Sequence, residues 1–347
     1  MHATLNKYLN VEISCFKFQK TSKMNPLNEF IYLIFPPMVA ILGLSGNLMG
    51  FLVLSRKNMS KLPIKNTYRF LFTSDSIFIS QSIISYMQYG LNFDPTMSSI
   101  YFCKIFNYLN YSLSITSPLL LVYISSERLI SIKFPTKSSF YKTQRFQVIY
   151  LVSATLYGLL FYLGIAFSFD IIDINGTFIN ETENETIQQC TFKDPILLSV
   201  FSWLDLINRA IVPSVVMVTI SCLLSYSIFQ SRKRVAGTQS VLENKNFKKD
   251  LKYTVTSIFL NLVYVLLNLP ISITIFFPNY QSSSIYVLSF FLFYFSYGNN
   301  FYIIITFNSL IRNEFLIFLG LRSEARKNSS MTRTTFANSV KRTNIVI

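Results

Sequence analysis

The chain reads as an all-α membrane protein, a seven-transmembrane helix bundle followed by a short amphipathic eighth helix. Three observations predict this. The first is composition: of 347 residues, 51% are hydrophobic, 16% aromatic and only 14% charged, against about 25% charged in soluble globular proteins. The second is a series of seven apolar stretches, each long enough at about 1.5 Å per residue to cross about 30 Å of hydrocarbon. The third is the placement of Lys and Arg, which crowd every second connection between those stretches.

The same composition excludes several functions. A net charge of +15 would suit a nucleic-acid binder only if the basic residues formed a stripe on a folded surface. They sit instead in short loops between apolar runs, so no nucleic-acid partner is expected. Four cysteines are too few for a disulfide scaffold or a zinc site. The single histidine, His2, lies in the N-terminal tail, and no arranged nucleophile and base appears, so the chain is not expected to be an enzyme. A transporter or channel is the reading from another class, and the lack of an internal repeat counts against it.

Residues 1–27 form a polar, Lys-bearing tail without an apolar stretch suited to a cleaved signal peptide. The first span is then expected to act as its own insertion signal. Met24 stands just before it and offers a second start. Within a bundle over residues 28–307, the spans are expected near 30–54, 67–91, 100–132, 148–169, 196–229, 253–277 and 284–307. Residues 308–321 then alternate Leu310, Ile311, Phe315 and Phe318 with polar side chains, which suits a helix lying on the membrane surface. It carries no cysteine for a palmitoyl anchor. Residues 322–347 complete the chain as a cytoplasmic tail of disordered composition, with Ser329, Ser330, Thr332, Thr334, Thr335 and Ser339 among basic residues.

Orientation follows from the loops. Arg56, Lys57, Lys61 and Lys65 follow the first span, Lys133, Lys137, Lys142 and Arg145 the third, and Arg232, Lys233, Arg234, Lys245, Lys248 and Lys249 the fifth. The loop after the fourth span instead holds Asp170, Asp173, Glu181, Glu183, Glu185 and Asp194 against Lys193 alone. The positive-inside rule puts the basic loops and the C-terminus in the cytoplasm and the N-terminus outside, in a plasma-membrane protein. Three glycosylation sequons, at Asn175, Asn180 and Asn184, fall in the acidic external loop. Matches at Asn58, Asn110 and Asn328 fall at cytoplasmic or membrane positions. Cys103 and Cys190 both lie on the oxidising side, Cys15 is left over in the tail, and Cys222 reads as a small buried hydrophobe. The basic cytoplasmic rim is expected to favour anionic lipid.

Around residues 119–135, LLLVYISSERLISIKFP, an apolar run ends in Glu127-Arg128 and a proline. An acid and a base at the edge of a membrane helix are costly unless they pair or line a polar cavity, so they mark a functional site. The plainer reading is an anchor at a helix end.

Taken together and in order, the motifs of residues 28–320 resemble those of the rhodopsin-like (class A) G protein-coupled receptors. Gly46-Asn47 resembles the Gly-Asn pair of the first helix, and Leu71 with Asp75 the Leu-Ala-x-x-Asp of the second. Cys103 and Cys190 resemble the family disulfide. Glu127-Arg128-Leu129 is similar to the Asp/Glu-Arg-Tyr motif, with Pro135 at the expected distance beyond it. Pro213 is similar to the proline of helix five and Pro270 to that of Cys-Trp-x-Pro. Asn300 stands for the Asn of Asn-Pro-x-x-Tyr, and Ile311-Arg312 for the Phe-Arg of the eighth helix.

The departures fall on the parts that relay activation in that family. Helix four has no Trp, Asn268 occupies the Trp position of helix six, Phe301 and Ile304 replace the Pro and Tyr of helix seven, and Ser221 stands where many members carry Tyr. Tyr302 is two residues from the family position, about 200° around a helix, and does not replace it.

The resemblance implies a switch of Glu127, Arg128, Asp250, Pro270 and Asn300, in which Asp250 bridges helix six to Arg128 until activation. The plainer reading makes Asp250 one charge in the solvated run Lys248-Lys249-Asp250. It also implies a polar site at Asp75, Ser117 and Asn300 that could hold an allosteric sodium ion, the alternative being a protonated or water-bonded Asp75. No other cofactor is expected. The ligand site belongs in the outer half. Asn110 occupies the position of the amine receptors' Asp, which argues against a monoamine. Asp205 and Arg209 are spaced to pair with each other, or to bind a ligand terminus. Tyr86, Tyr89, Asn107, Tyr111, Trp203, Ser272, Phe290 and Tyr294 are candidate walls, though aromatics at helical spacing also serve packing.

The expected function is therefore to transduce an extracellular ligand to a heterotrimeric G protein by a population shift. The acidic external loop favours a basic neuropeptide, unless its acids only keep the loop solvated. Receptor kinase and arrestin are expected at the tail. A chemosensory receptor for small molecules, on the same fold, is the alternative.

Overall fold

The computed structural model of the chain describes residues 26–60, 62, 64–89, 91, 93–134, 138–175, 186–236, 241–276 and 284–322. The helices are α1 (Pro26–Ser55), α2 (Lys65–Tyr89), α3 (Ile100–Lys133) and α4 (Gln144–Ser168). After a two-stranded hairpin come α5 (Pro195–Asp205, a π-helical turn Leu206–Ile211, then Val212–Ala236), α6 (Val241–Phe276), the broken α7 (Ser284–Gly298 and Asn300–Phe307) and α8 (Ser309–Phe318).

Five of these helices are long and apolar enough to cross a membrane on their own, and α7 makes a sixth if its halves, bent by 51°, count as one span. The sequence predicts seven. The difference is α2, which has 25 residues but carries Ser74, Asp75, Gln81, Ser82 and Ser85. All five are buried, so much of the polarity that lowers its hydropathy faces protein.

Proline shapes the bundle. A proline within a helix has no N–H for the carbonyl four residues back, and in hydrocarbon that carbonyl needs another partner. Pro118 frees the Ser114 carbonyl, next to the irregular turn of α3 at Ile115, and Tyr297 Oη of α7 donates to it at 2.8 Å. Pro213 frees the Arg209 carbonyl beside the π-helical turn of α5, and Tyr264 Oη of α6 donates to it at 3.1 Å. Each helix break is thus tied to another helix.

Close contact between α1 and α7 depends on glycine. A Cβ on Gly298 would lie 2.8 Å from Gly43 Cα, so the two backbones touch where side chains would hold them apart. Tyr302 turns toward α1, its ring against Gly46 and its hydroxyl donating to the Leu42 carbonyl at 2.9 Å.

The largest apolar cluster joins α1, α2, α3, α5, α6 and α7 through residues such as Leu54, Leu71, Leu120, Ile124, Met217, Leu260 and Ile304. A second, aromatic cluster centres on Phe78, Phe293, Tyr294 and Tyr297. Cys222 corrects the sequence reading: it is exposed. Met217, Ile220 and Leu224 take the inward face of α5, and helical rotation leaves Cys222 on the outward one.

Candidate functional site

The hairpin pairs β1 (Phe169–Asn175) with β2 (Thr186–Phe192) antiparallel, placing Ile171 opposite Cys190. Cys190 is joined to Cys103 of α3, with S–S 1.96 Å and Cα–Cα 5.8 Å. Asn107, one turn further along α3, donates to the Cys103 carbonyl at 2.9 Å and approaches Cys190 Sγ at 3.3 Å. At the base of the hairpin Lys193 Nζ lies 2.7 Å from Asp170 Oδ2. Its hydrogen bond holds the Asp170 carboxyl below the ordinary carboxylate range, with the Ile171 N–H helping. Asn180 and Asn184 lie outside the described residues, as does the side chain of Asn175.

Below the hairpin, Asp205 and Arg209 pair at 2.7 Å, with side chains 7% and 14% exposed. Tyr162 Oη of α4 donates to Asp205 Oδ1 at 2.8 Å, and the Arg209 guanidinium sits 4.1 Å from the Phe293 ring centroid. A buried carboxylate, guanidinium, phenol and aromatic face thus satisfy one another across α4, α5 and α7. Tyr111 packs on Tyr162, their ring centroids 5.8 Å apart. Tyr294 is stacked on Phe78 at 5.1 Å and edge-on to Phe290 at 4.9 Å, within the aromatic cluster. Ser272 Oγ donates to the Asn268 carbonyl of its own helix at 2.9 Å. Tyr86, Asn107 and Asn110 are half-buried, and the side chain of Tyr89 lies outside the described residues. Trp203 is 41% exposed on α5.

At mid-bundle Asp75 is fully buried. Asn300 Nδ2 donates to its Oδ2 at 2.8 Å, while Oδ1 has no hydrogen-bond partner. The Ser117 hydroxyl is buried beside the carboxylate without hydrogen-bonding geometry to it. Two buried oxygens lacking partners form a hard-donor set that fits a small cation. Among the described residues no three of His, Cys, Asp and Glu stand together as a metal site. Asn268, two residues before Pro270, donates from Nδ2 to the Tyr264 carbonyl at 2.8 Å and to Ser296 Oγ of α7 at 3.1 Å.

At the other end of α3, Glu127 and Arg128 are 1% and 5% exposed. Their charges lie 2.5 Å apart, and Glu127 Oε1 also accepts from Ser131 Oγ at 2.9 Å. The Arg128 guanidinium lies 5.1 Å from the Tyr253 ring centroid of α6, within cation–π range. Asp250 lies in α6, three residues before Tyr253, with its side chain outside the described residues. α8 is capped by Asn308, and its buried Glu314 accepts from Asn58 Nδ2 at 2.9 Å and pairs with Arg56 Nε at 3.1 Å.

Sequence reasoning missed Tyr253, Tyr162, Phe293 and the Glu314 contact. The signal for Glu314 was an acid among the apolar residues of α8; the three aromatics carry none, because the chain holds 34 Phe and 21 Tyr.

A bundle of long apolar helices with a buried acid and base at one end of α3, a disulfide-tied hairpin at the other and a polar centre defines an α-helical membrane protein. The model of the 7 transmembrane receptor (rhodopsin family) matches residues 46–310, and the chain belongs to that family. No curated protein matches the chain.

Proposed function

We propose that the chain spans the plasma membrane seven times, N-terminus outside, and couples an extracellular ligand, a basic neuropeptide, to a heterotrimeric G protein. The observation that carries this reading is Arg128, held buried between Glu127 of its own helix and the Tyr253 ring of α6. A guanidinium covered by a neighbouring helix becomes available when that helix moves. Outward displacement of α6 would remove Tyr253, expose Arg128 and open a cytoplasmic cleft for the G protein. Pro270 within α6 and Asn300 beside Asp75 are points through which events in the outer half would bias that movement.

The acidic loop of residues 170–194 favours a cationic ligand by attraction. Asn110, rather than an acid, at that position of α3 disfavours a monoamine. Asp75, Ser117 and Asn300 would hold a sodium ion that favours the resting arrangement. Glycan at Asn175, Asn180 or Asn184, docking of α8 on the membrane surface, and receptor kinase and arrestin at the Ser/Thr-rich tail complete the reading. The direct experiment is a peptide-library screen on cells expressing the full chain with a promiscuous G protein. A basic peptide that drives nucleotide exchange at nanomolar to micromolar concentration is expected. A ligand-driven current or uptake without G protein would overturn the proposal.

A further inference from the structure

Four arginines among the described residues are buried or half-buried: Arg56, Arg69, Arg128 and Arg209. Arg56 faces the carboxylate of Glu314, Arg128 that of Glu127 and Arg209 that of Asp205. Arg69 of α2 faces none. Its guanidinium lies 4.7 Å from the Phe51 ring centroid of α1, and its Nε is buried with no hydrogen-bond partner. Its side chain makes no hydrogen bond or ion pair among the described residues.

A cation within a membrane helix is costly unless it is paired. Lys65, the first residue of α2, stands one turn earlier on the same face, and like charges four residues apart on a helix repel each other. The first turn of α2 holds no acid, and Glu314 is already engaged by Arg56 and Asn58. Two cations thus share one face of α2, and no described side chain supplies a counter-ion.

Their depth indicates what does. Arg69 lies one turn into α2 and Phe51 one turn before the end of α1, about 6 Å inside each helix end at about 1.5 Å per residue. That is the depth of the boundary between lipid headgroups and acyl chains. Further in on the same faces, Thr73 and Ile77 of α2 and Leu48 of α1 are exposed. A basic mouth therefore leads into a largely apolar track.

We propose that the outward groove between α1 and α2 binds one anionic phospholipid, its phosphate held by Arg69 and Lys65 and an acyl chain lying along Leu48 and Ile77. A guanidinium can give a phosphate two parallel N–H bonds, and the Phe51 ring against its face keeps that fork oriented. Two cations select a headgroup with net negative charge, which phosphatidylserine has and phosphatidylcholine lacks. A free phosphate would meet the same charges but leave the track unfilled, so the occupant is a lipid. The proposal rests on the membrane-spanning reading above and on no step of signalling.

The test titrates the full chain, purified in detergent, with phosphatidylserine or phosphatidylcholine and reads binding by native mass spectrometry. Wild type is expected to bind the first phosphatidylserine about five- to tenfold more tightly than phosphatidylcholine. Arg69→Gln should abolish that preference, and Lys65→Gln should reduce it. Arg145→Gln removes the same charge from an exposed position at the start of α4 and should leave the preference unchanged. Because the Arg69 side chain has no protein counter-ion to lose, Arg69→Gln should melt with wild type in lipid-free detergent. Added phosphatidylserine should then raise the melting temperature of wild type more than that of the variant. Equal binding of the two lipids by wild type, or an Arg145→Gln variant as impaired as Arg69→Gln, would overturn the site. Displacement of the lipid by an equal concentration of inorganic phosphate would overturn the assignment to lipid. Should Arg69→Gln not purify, Phe51→Leu, which keeps an apolar side chain and removes the ring, decides in its place and should weaken the preference. Nucleotide exchange by wild type judges the receptor reading separately, and the lipid preference stands or falls whatever that result.

Discussion

The Arg128 guanidinium is restrained by a charge and by a ring, and the two are separable. Glu127→Gln leaves a buried cation without its counter-ion, a loss of about 3–5 kcal/mol, and the expected outcome is a markedly lower melting temperature in detergent. Tyr253→Leu keeps Glu127 and an apolar side chain in the cluster but removes the ring over the guanidinium, a contact worth about 0.5–2 kcal/mol. It should leave melting close to wild type and raise ligand-independent nucleotide exchange by up to about tenfold. Asp170 gives a pH test in the β1–β2 hairpin. Its carboxyl is held below the ordinary range by Lys193, so the pair contributes fully above the unfolded-state pKa and is lost as pH falls through the lower folded value. Amide exchange in β1 and β2 should therefore quicken below the usual carboxylate range, and Lys193→Ala should remove that pH dependence. Glu127, Arg128 and the cysteines were legible because each is rare chemistry in an apolar run. Tyr253 was not, since only the rotation of α6 sets one aromatic apart from its many neighbours.

The elements are held by what their irregularities expose. Two prolines each free a carbonyl, and a tyrosine from another helix answers each one. Tyr297→Phe should leave the Ser114 carbonyl unpaired at a cost of about 1–3 kcal/mol, seen as a lower melting temperature with ring packing intact. Gly298→Ala sets a methyl 2.8 Å from Gly43 Cα and should force α1 and α7 apart, costing about 1–3 kcal/mol and lowering surface expression. The prolines were legible in the sequence, but their partners were not: a freed carbonyl is a local fact, and the donor that meets it lies 55 or 183 residues away. For α2 the reading of a span rested on apolar length, and buried polar side chains pull its hydropathy below what length alone would suggest.

At the scale of the whole molecule, a disulfide-tied hairpin end, a polar centre at Asp75 and Asn300, and a seam at Arg128 lie along α3 and its neighbours. Such an arrangement suits a bundle with two packings, one sealed at the Arg128 end and one open. The family was legible from motifs in order, while the ligand was not, because pocket chemistry depends on which side chains face one another across helices. The Asp205–Arg209 pair shows this: its spacing was visible, but its closure by Tyr162 and Phe293 was not. The most direct measurement is ligand-independent nucleotide exchange on a panel of G proteins, in membranes holding matched amounts of wild type, Tyr253→Leu and Arg128→Ala. Measurable exchange by wild type, more by Tyr253→Leu and less by Arg128→Ala is the expected result. Equal exchange by all three, from a wild type that demonstrably couples, would contradict the claim that Arg128 and its cover on α6 form the switch.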